Sequence, residues 1–375
     1  MTYKPKSIFP QFSLDRKVIK WEDYLKRLTP WENHQGVWFK MEQEFAPLGY
    51  GGPNGAKCRQ LIHLMSTTLE GKSHVLSGAS LKSPQLSMST IIGAHYGLPT
   101  RLVVGATKPQ TMLNHPNPRI SAGFGACFEY INVAYNPALQ RKVAELTKPS
   151  SLVVKYGITV DHQTAPMEDV LAFHEVGANQ VRNLPEEVEV LIVPAGSCNS
   201  LVSVLLGLSR DSKNVKMLYT LGIGPNKMEW VAERCAKIGV DIHNFPFKWK
   251  HHSLHDSGFS TYQDSMPETF GGIKFHPTYE GKMIRYLKSQ GWIPEDGSVG
   301  FWIVGSEPSL EVIEPFYTHN PEHVLEDETP DVERLAQDLY DACPTPKPAW
   351  EQLGTTTQGV WKEKALQQLE EGEHA

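Results

Sequence analysis

The stretch Val188-Glu189-Val190-Leu191-Ile192-Val193, followed at once by Pro194-Ala195-Gly196-Ser197-Cys198-Asn199-Ser200, decides the fold of this chain. The first six residues form a short, largely apolar, valine-rich run, as a strand buried on both faces does. Beyond the loop, Leu201, Val204, Leu205 and Leu208 recur at helical spacing, so the small polar residues between are a turn into a helix. At such an entrance the first N–H groups lack partners and the helix dipole is positive. An anion such as phosphate is then bound by main chain and hydroxyls together. A plain helix N-cap by Ser197, Asn199 or Ser200 is the competing reading. No Gly-Lys-Ser/Thr follows, and neither Gly123-Phe124-Gly125 nor Gly222-Ile223-Gly224 completes a dinucleotide fingerprint.

The same strand, loop and helix unit recurs upstream. Val37-Trp38-Phe39-Lys40 reads as a strand, Gly49 to Gly55 as a loop, and Leu61, Leu64, Met65 and Leu69 as a helix face, which puts Lys57 where the loop enters the helix. A further unit runs from a strand at Ser73 to Leu76, through a polar loop from Ser77 to Gln85, into a helix carrying Met88, Ile91 and Ile92. Gly97-Leu98-Pro99 stops that helix and Arg101 to Gly105 resumes a strand. The alternation predicts an α/β fold of parallel sheets flanked by helices.

The totals agree with an ordinary globular protein. A chain of 375 residues, 40% hydrophobic and 21% charged, buries a sizeable core, most simply as two lobes. A net charge of −6 opposes broad attraction to nucleic acid but leaves room for a local basic groove. The N-terminal residues carry no apolar signal region and no apolar run is long enough for a bilayer, so no membrane partner and a cytoplasmic location are expected. Cys58, Cys127, Cys198, Cys235 and Cys343 are scattered without a C-x-x-C pair, which predicts free thiols. His251, His252 and His255 beside Asp256 have no recognisable ligand spacing, and His174-Glu175 lacks the second histidine of a zincin helix, so no metal is expected.

Three runs in order carry a resemblance: Lys40-Met41-Glu42 before Gly52-Pro53-Asn54-Gly55-Ala56-Lys57-Cys58-Arg59-Gln60-Leu61, then Gly196 to Ser200, then His276-Pro277-Thr278-Tyr279-Glu280-Gly281-Lys282. Over about residues 30 to 310 the chain resembles the fold-type-II pyridoxal-phosphate enzymes, nearest the branch of D-cysteine desulfhydrase and aminocyclopropane-carboxylate deaminase. Two residues are inserted between the family's asparagine and lysine. The resemblance implies pyridoxal 5'-phosphate as cofactor, Lys57 as its Schiff-base lysine, Asn54 beside it, and Gly196, Ser197, Cys198, Asn199 and Ser200 as its phosphate cup. Tyr279 is implied as a catalytic acid or base and Glu280 as the partner of the pyridine nitrogen. It also implies a two-lobed homodimer, with a small domain of residues 71–163 inserted into a large one formed by 1–70 and 164–343. Residues 344–375 are left as a C-terminal appendage.

The substrate loop departs from the family. Ser80-Leu81-Lys82-Ser83-Pro84-Gln85 stands where the family clamps a substrate carboxylate, with catalytic Ser83 on its serine and Pro84 on its asparagine. Proline removes an amide side chain and a backbone donor, leaving Ser80, Lys82, Ser83 and Gln85 as the candidate substrate contacts. The clamp orients the bond that breaks at the α-carbon, so its alteration opens decarboxylation beside proton abstraction. The first expectation is a lyase or deaminase acting on a free amino acid. The second is a decarboxylase of an aminoacylated thymidine nucleotide or DNA, since divergent family members occur in bacteriophages among genes that elaborate thymine, which would place the protein in host cytoplasm. A cofactor-binding protein without turnover is the third. The stretch Phe245-Pro246-Phe247-Lys248-Trp249-Lys250-His251-His252 interleaves aromatics and bases and reads either as a nucleic-acid contact or as a packed loop.

Overall fold

A computed structural model describes residues 20–105, 112–131, 135–292 and 296–309, with Phe9 and a few positions between 340 and 363. The appendage expected from residue 344 lies mostly outside the described residues, as does Cys343.

The chain opens with β1 (Trp31–His34) and β2 (Val37–Met41), an antiparallel hairpin. Gln35 and Gly36 both have positive φ at its two-residue turn, the backbone that matches strand twist. Helix α1 (Ala56–Thr67) follows, and then β3 (His74–Gly78), α2 (Gln85–His95), β4 (Thr100–Gly105), α3 (Pro116–Gly123), β5 (Cys127–Ile131), α4 (Asn136–Leu146) and β6 (Ser151–Val154). Next come α5 (Met167–Ala178), β7 (Val190–Ala195), α6 (Asn199–Arg210), β8 (Met217–Gly222), α7 (Met228–Lys237) and β9 (Lys248–Ser253). A short hairpin of β10 (Thr269–Phe270) and β11 (Ile273–Lys274) precedes α8 (Glu280–Ser289) and β12 (Val299–Ile303).

The strands make two main sheets. One runs β1-β2-β12-β7-β8-β9, parallel except for the β1 hairpin, and the other runs β5-β4-β3-β6, parallel throughout. Leu201, Val204, Leu205 and Leu208 of α6 are buried against Leu191 and Val193 of β7, as their spacing predicts. Helix α1 packs through Leu61, Ile62 and Met65 with α2 residues Ile91 and Ile92 and with Phe173 of α5, so the element carrying Lys57 is wedged between the two sheet systems.

One reading changes and one is narrowed. The strand expected to stop at Leu76 continues to Gly78, because the buried Ser77 hydroxyl accepts a hydrogen bond from Gln85 and its polarity costs little there. The aromatic-basic stretch forms edge strand β9 and the turn before it, with Phe245 stacked on the buried Phe247, Trp249 donating to Thr220, and His252 stacked on Tyr286.

Candidate active site

Lys57 occupies the first turn of α1 and is half-buried on a cavity wall. Its helix starts where Gly55, at φ 90°, runs so close to β12 that a Cβ would lie 2.2 Å from the Val304 carbonyl oxygen. Only glycine takes that path. The Ala56 amide then donates to the same oxygen at 2.8 Å. Two residues after Lys57, the fully buried Arg59 donates to the Leu25 and Arg27 carbonyls and pairs with Glu42 at 3.5 Å. Glu42 also accepts from the Thr29 hydroxyl, while Lys40 donates to the Thr29 carbonyl and Asn183. The Lys40-Met41-Glu42 run is thus an internal anchor for α1. Asn54 lines the cavity and clamps Ser306, accepting from its amide at 2.8 Å and donating to its hydroxyl at 3.1 Å.

The loop between β7 and α6 forms a second wall from Gly196, Ser197, Cys198 and Ser200. Cys198 takes the left-handed conformation at φ 68°, an uncommon strain for a residue with a side chain, and burial holds its thiol up at about 11. A Cβ added to Gly196 would meet nothing within 4 Å. The start of α6 therefore faces open space, as an anion seat requires. Asn199 turns away from that seat, donating to the Gly157 and Ile158 carbonyls and accepting from Thr159.

The third wall comes from the start of α8. Glu280 is fully buried, accepts the Val304 amide through Oε1 at 3.0 Å, and leaves Oε2 without a partner. Burial lifts its carboxyl to about 7 against the opposing pull of backbone donors and Lys57. Lys57 is lowered to about 8 by burial and then by the like charge of Lys227. The Tyr279 ring centre lies 5.8 Å from Lys57 Nζ, and its hydroxyl shares a 2.9 Å hydrogen bond with that of Tyr262. Burial and Tyr262 hold the Tyr279 phenol well above its usual range, so it stays protonated. Gly281 admits no side chain, since a Cβ would stand 2.2 Å from the Met266 carbonyl oxygen. Lys282 is buried and spends its ammonium on the Thr261 and Tyr262 carbonyls.

These walls border a cleft of about 590 Å³, part of it open to solvent, at the carboxyl ends of β7 and β12 where open α/β sheets bind ligands. A second compartment, about 730 Å³ with the solvent-open space at its mouth, adjoins it across Lys57, Gly196, Ser197, Ile223 and Tyr279, and includes Ser83. Pro84 lines the first. Ser80, Lys82 and Gln85 line neither: Lys82 donates to the Gln263 carbonyl, and Gln85 spends its amide on Ser77, Val154, Lys155 and Gly157. Sequence reasoning passed over Val304, Gly305 and Ser306, which follow the unread strand β12, and His276. His276 is pulled down to about 3 by burial and Lys57, and its Nδ1 accepts the Thr278 amide, so the proton of the neutral ring sits on Nε2.

Pyridoxal phosphate needs an amine for its aldehyde, a seat for its phosphate and a partner for its ring nitrogen. Lys57, the open start of α6 and the unpartnered Glu280 Oε2 offer those three on separate walls of one cavity.

The chain matches no protein-family model. It is 34% identical to the O-seryl-dTMP PLP-dependent decarboxylase of Salmonella phage ViI, across 87% of this chain and 92% of that protein. Its fold is similar to that of an ACC deaminase homologue (TM-score 0.58, 17% identity, 78% of this chain and 93% of that one). Threonine deaminase isoform 2 of Solanum lycopersicum is also similar (TM-score 0.50, 12% identity, 86% and 92%). The cofactor is pyridoxal 5'-phosphate, and the chemistry is that of a lyase at a substrate α-carbon. With that relative covered almost end to end, this chain belongs to the family of the phage decarboxylase, within the fold-type-II pyridoxal-phosphate enzymes.

Proposed function

We propose that this enzyme decarboxylates an aminoacyl group carried on a thymidine nucleotide. The observation that carries the reading is the substrate loop. Ser83 Oγ accepts the Gln85 amide at 3.3 Å, and Pro84 brings no N–H to the entrance of α2. A carboxylate there is offered neither of those two amides and meets only the Ser83 hydroxyl proton, so it is held less firmly and can stand as the bond that breaks. The likeness to a decarboxylase of O-seryl-dTMP supports the same reading, because a seryl group linked through its oxygen keeps its carboxylate.

When bound, pyridoxal phosphate supplies an electron sink for the pair released at the α-carbon. Lys57 would hold it by the aldehyde, residues 196–200 by the phosphate, and Glu280 by the ring nitrogen. The bond from the α-carbon to the carboxylate breaks, carbon dioxide leaves, and the α-carbon takes up one proton. Lys57 Nζ, poised near 8, is the group suited to deliver it, and Tyr279 with Tyr262 shields that step from water.

The test supplies the holoenzyme with O-seryl-dTMP and, separately, with free serine, and reads carbon dioxide, ammonia and product mass. Carbon dioxide from the nucleotide without ammonia supports the proposal. Ammonia from serine, with no carbon dioxide, returns the enzyme to the deaminase reading.

A further inference from the structure

The second compartment is larger than a serine side chain needs, and its far walls are built of groups the α-carbon chemistry does not use. Tyr156, from the turn after β6, is 38% exposed at its rim. Tyr262 stands on the large-sheet side, and its main chain is pinned by two ammonium groups, Lys282 on the Thr261 and Tyr262 carbonyls and Lys82 on the Gln263 carbonyl. Lys227 precedes the first residue of α7 and lines the same space. Beside it a Cβ added to Gly224 would meet nothing within 4 Å.

We propose that this compartment is the nucleotide subsite, with Tyr156 and Tyr262 flanking the pyrimidine and sugar and Lys227 meeting the phosphate. This rests on the nucleotide reading given above and assigns its residues. Aromatic faces accept a base whatever its hydrogen-bond pattern, and a lysine on a short loop is a point charge suited to a phosphate. The pinned Tyr262 loop makes the wall preformed, which lowers the entropy cost of seating a ligand. The cofactor's phosphate is the other anion within reach of Lys227, and the experiment separates the two.

Borohydride-reduced holoenzyme, with the cofactor fixed on Lys57, is titrated with dTMP and with thymidine. The expected result is that K227Q weakens dTMP by about tenfold and thymidine by less than about twofold, whereas Y156L weakens both. Turnover of O-seryl-dTMP by the unreduced enzyme is followed alongside. If O-seryl-dTMP is decarboxylated but K227Q and Y156L bind dTMP as the parent does, the subsite assignment falls and the function stands. If K227Q instead loses pyridoxal phosphate during purification and keeps its dTMP affinity, Lys227 belongs to the cofactor and the assignment again falls. If free serine is turned over and dTMP does not bind, the nucleotide reading itself is overturned.

Discussion

Glu280 accepts the Val304 amide through Oε1 at 3.0 Å while its Oε2, equally buried, meets no donor. A carboxyl so placed is costly to ionise, and its value rises from the ordinary 4.5 to about 7. The folded-state value lies above the unfolded one. The stability this group contributes is therefore full below about 4.5 and is lost as pH rises through about 7. Cofactor-free enzyme should lose on the order of 3 kcal/mol from this source across that window. E280Q should not, and urea midpoints of both proteins measured on either side of the window check it.

With cofactor bound the same change should act the other way. An amide cannot hold a proton on the ring nitrogen as a carboxylate does, so E280Q should retain pyridoxal phosphate yet turn over roughly 10²-fold more slowly. Absorbance per protein and kcat separate the two effects. Equal kcat in both proteins would remove Glu280 from the chemistry.

Lys57 attacks an aldehyde only as the neutral amine, and its value of about 8 makes that form accessible near neutrality. Uptake of pyridoxal phosphate by cofactor-free enzyme should quicken with pH and level off above about 8. Because the Lys227 charge helps depress Lys57, K227Q should move the plateau to higher pH. Stopped-flow absorbance across a pH series reads both.

The parts of this site legible in the sequence are those that sit next to their own secondary structure. Lys57, the loop from Gly196 to Ser200 and the Tyr279-Glu280 pair each lie at a helix start; periodicity and turn residues mark the first two, and the resemblance alone marks the third. Less legible were contacts made across long separations. β12 is five residues with nothing but its apolar character to distinguish it, yet it lies between β2 and β7 and delivers Val304 to Gly55 and Glu280. Gln85 and Asn199 show the converse: polar side chains beside a cleft look like ligand contacts, but their amides are consumed by the backbone around Gly157. Sequence places such a residue near a site without saying which way it turns.

The Arg59 and Glu42 pair gives a stability prediction independent of the cofactor. Both side chains are buried, and removing Arg59 leaves Glu42 with Lys40 alone and the Leu25 and Arg27 carbonyls without their donor. R59M should destabilise the fold by about 3–5 kcal/mol, and R59M combined with E42L should recover only the part due to the unpaired Glu42 charge, since the Leu25 and Arg27 carbonyls stay without a donor. A double-mutant cycle in urea measures the coupling, and purely additive losses would show that the pair does not act as a unit.

Gly196 and Gly55 separate the needs of the cofactor from those of the fold. Gly55 has positive φ and no room for a methyl group, so G55A should unfold the entry to α1 and lower the melting temperature of the cofactor-free protein. Gly196 has no positive φ among the glycines that do, and an added methyl would enter empty space. G196A should therefore leave cofactor-free stability within about 0.5 kcal/mol. The same methyl would project into the seat assigned to the phosphate, where main chain must come close to the anion, so affinity for pyridoxal phosphate should fall by about tenfold or more. Melting curves without cofactor and a pyridoxal-phosphate titration with it check the two halves. Unchanged affinity in G196A would move the phosphate away from the start of α6.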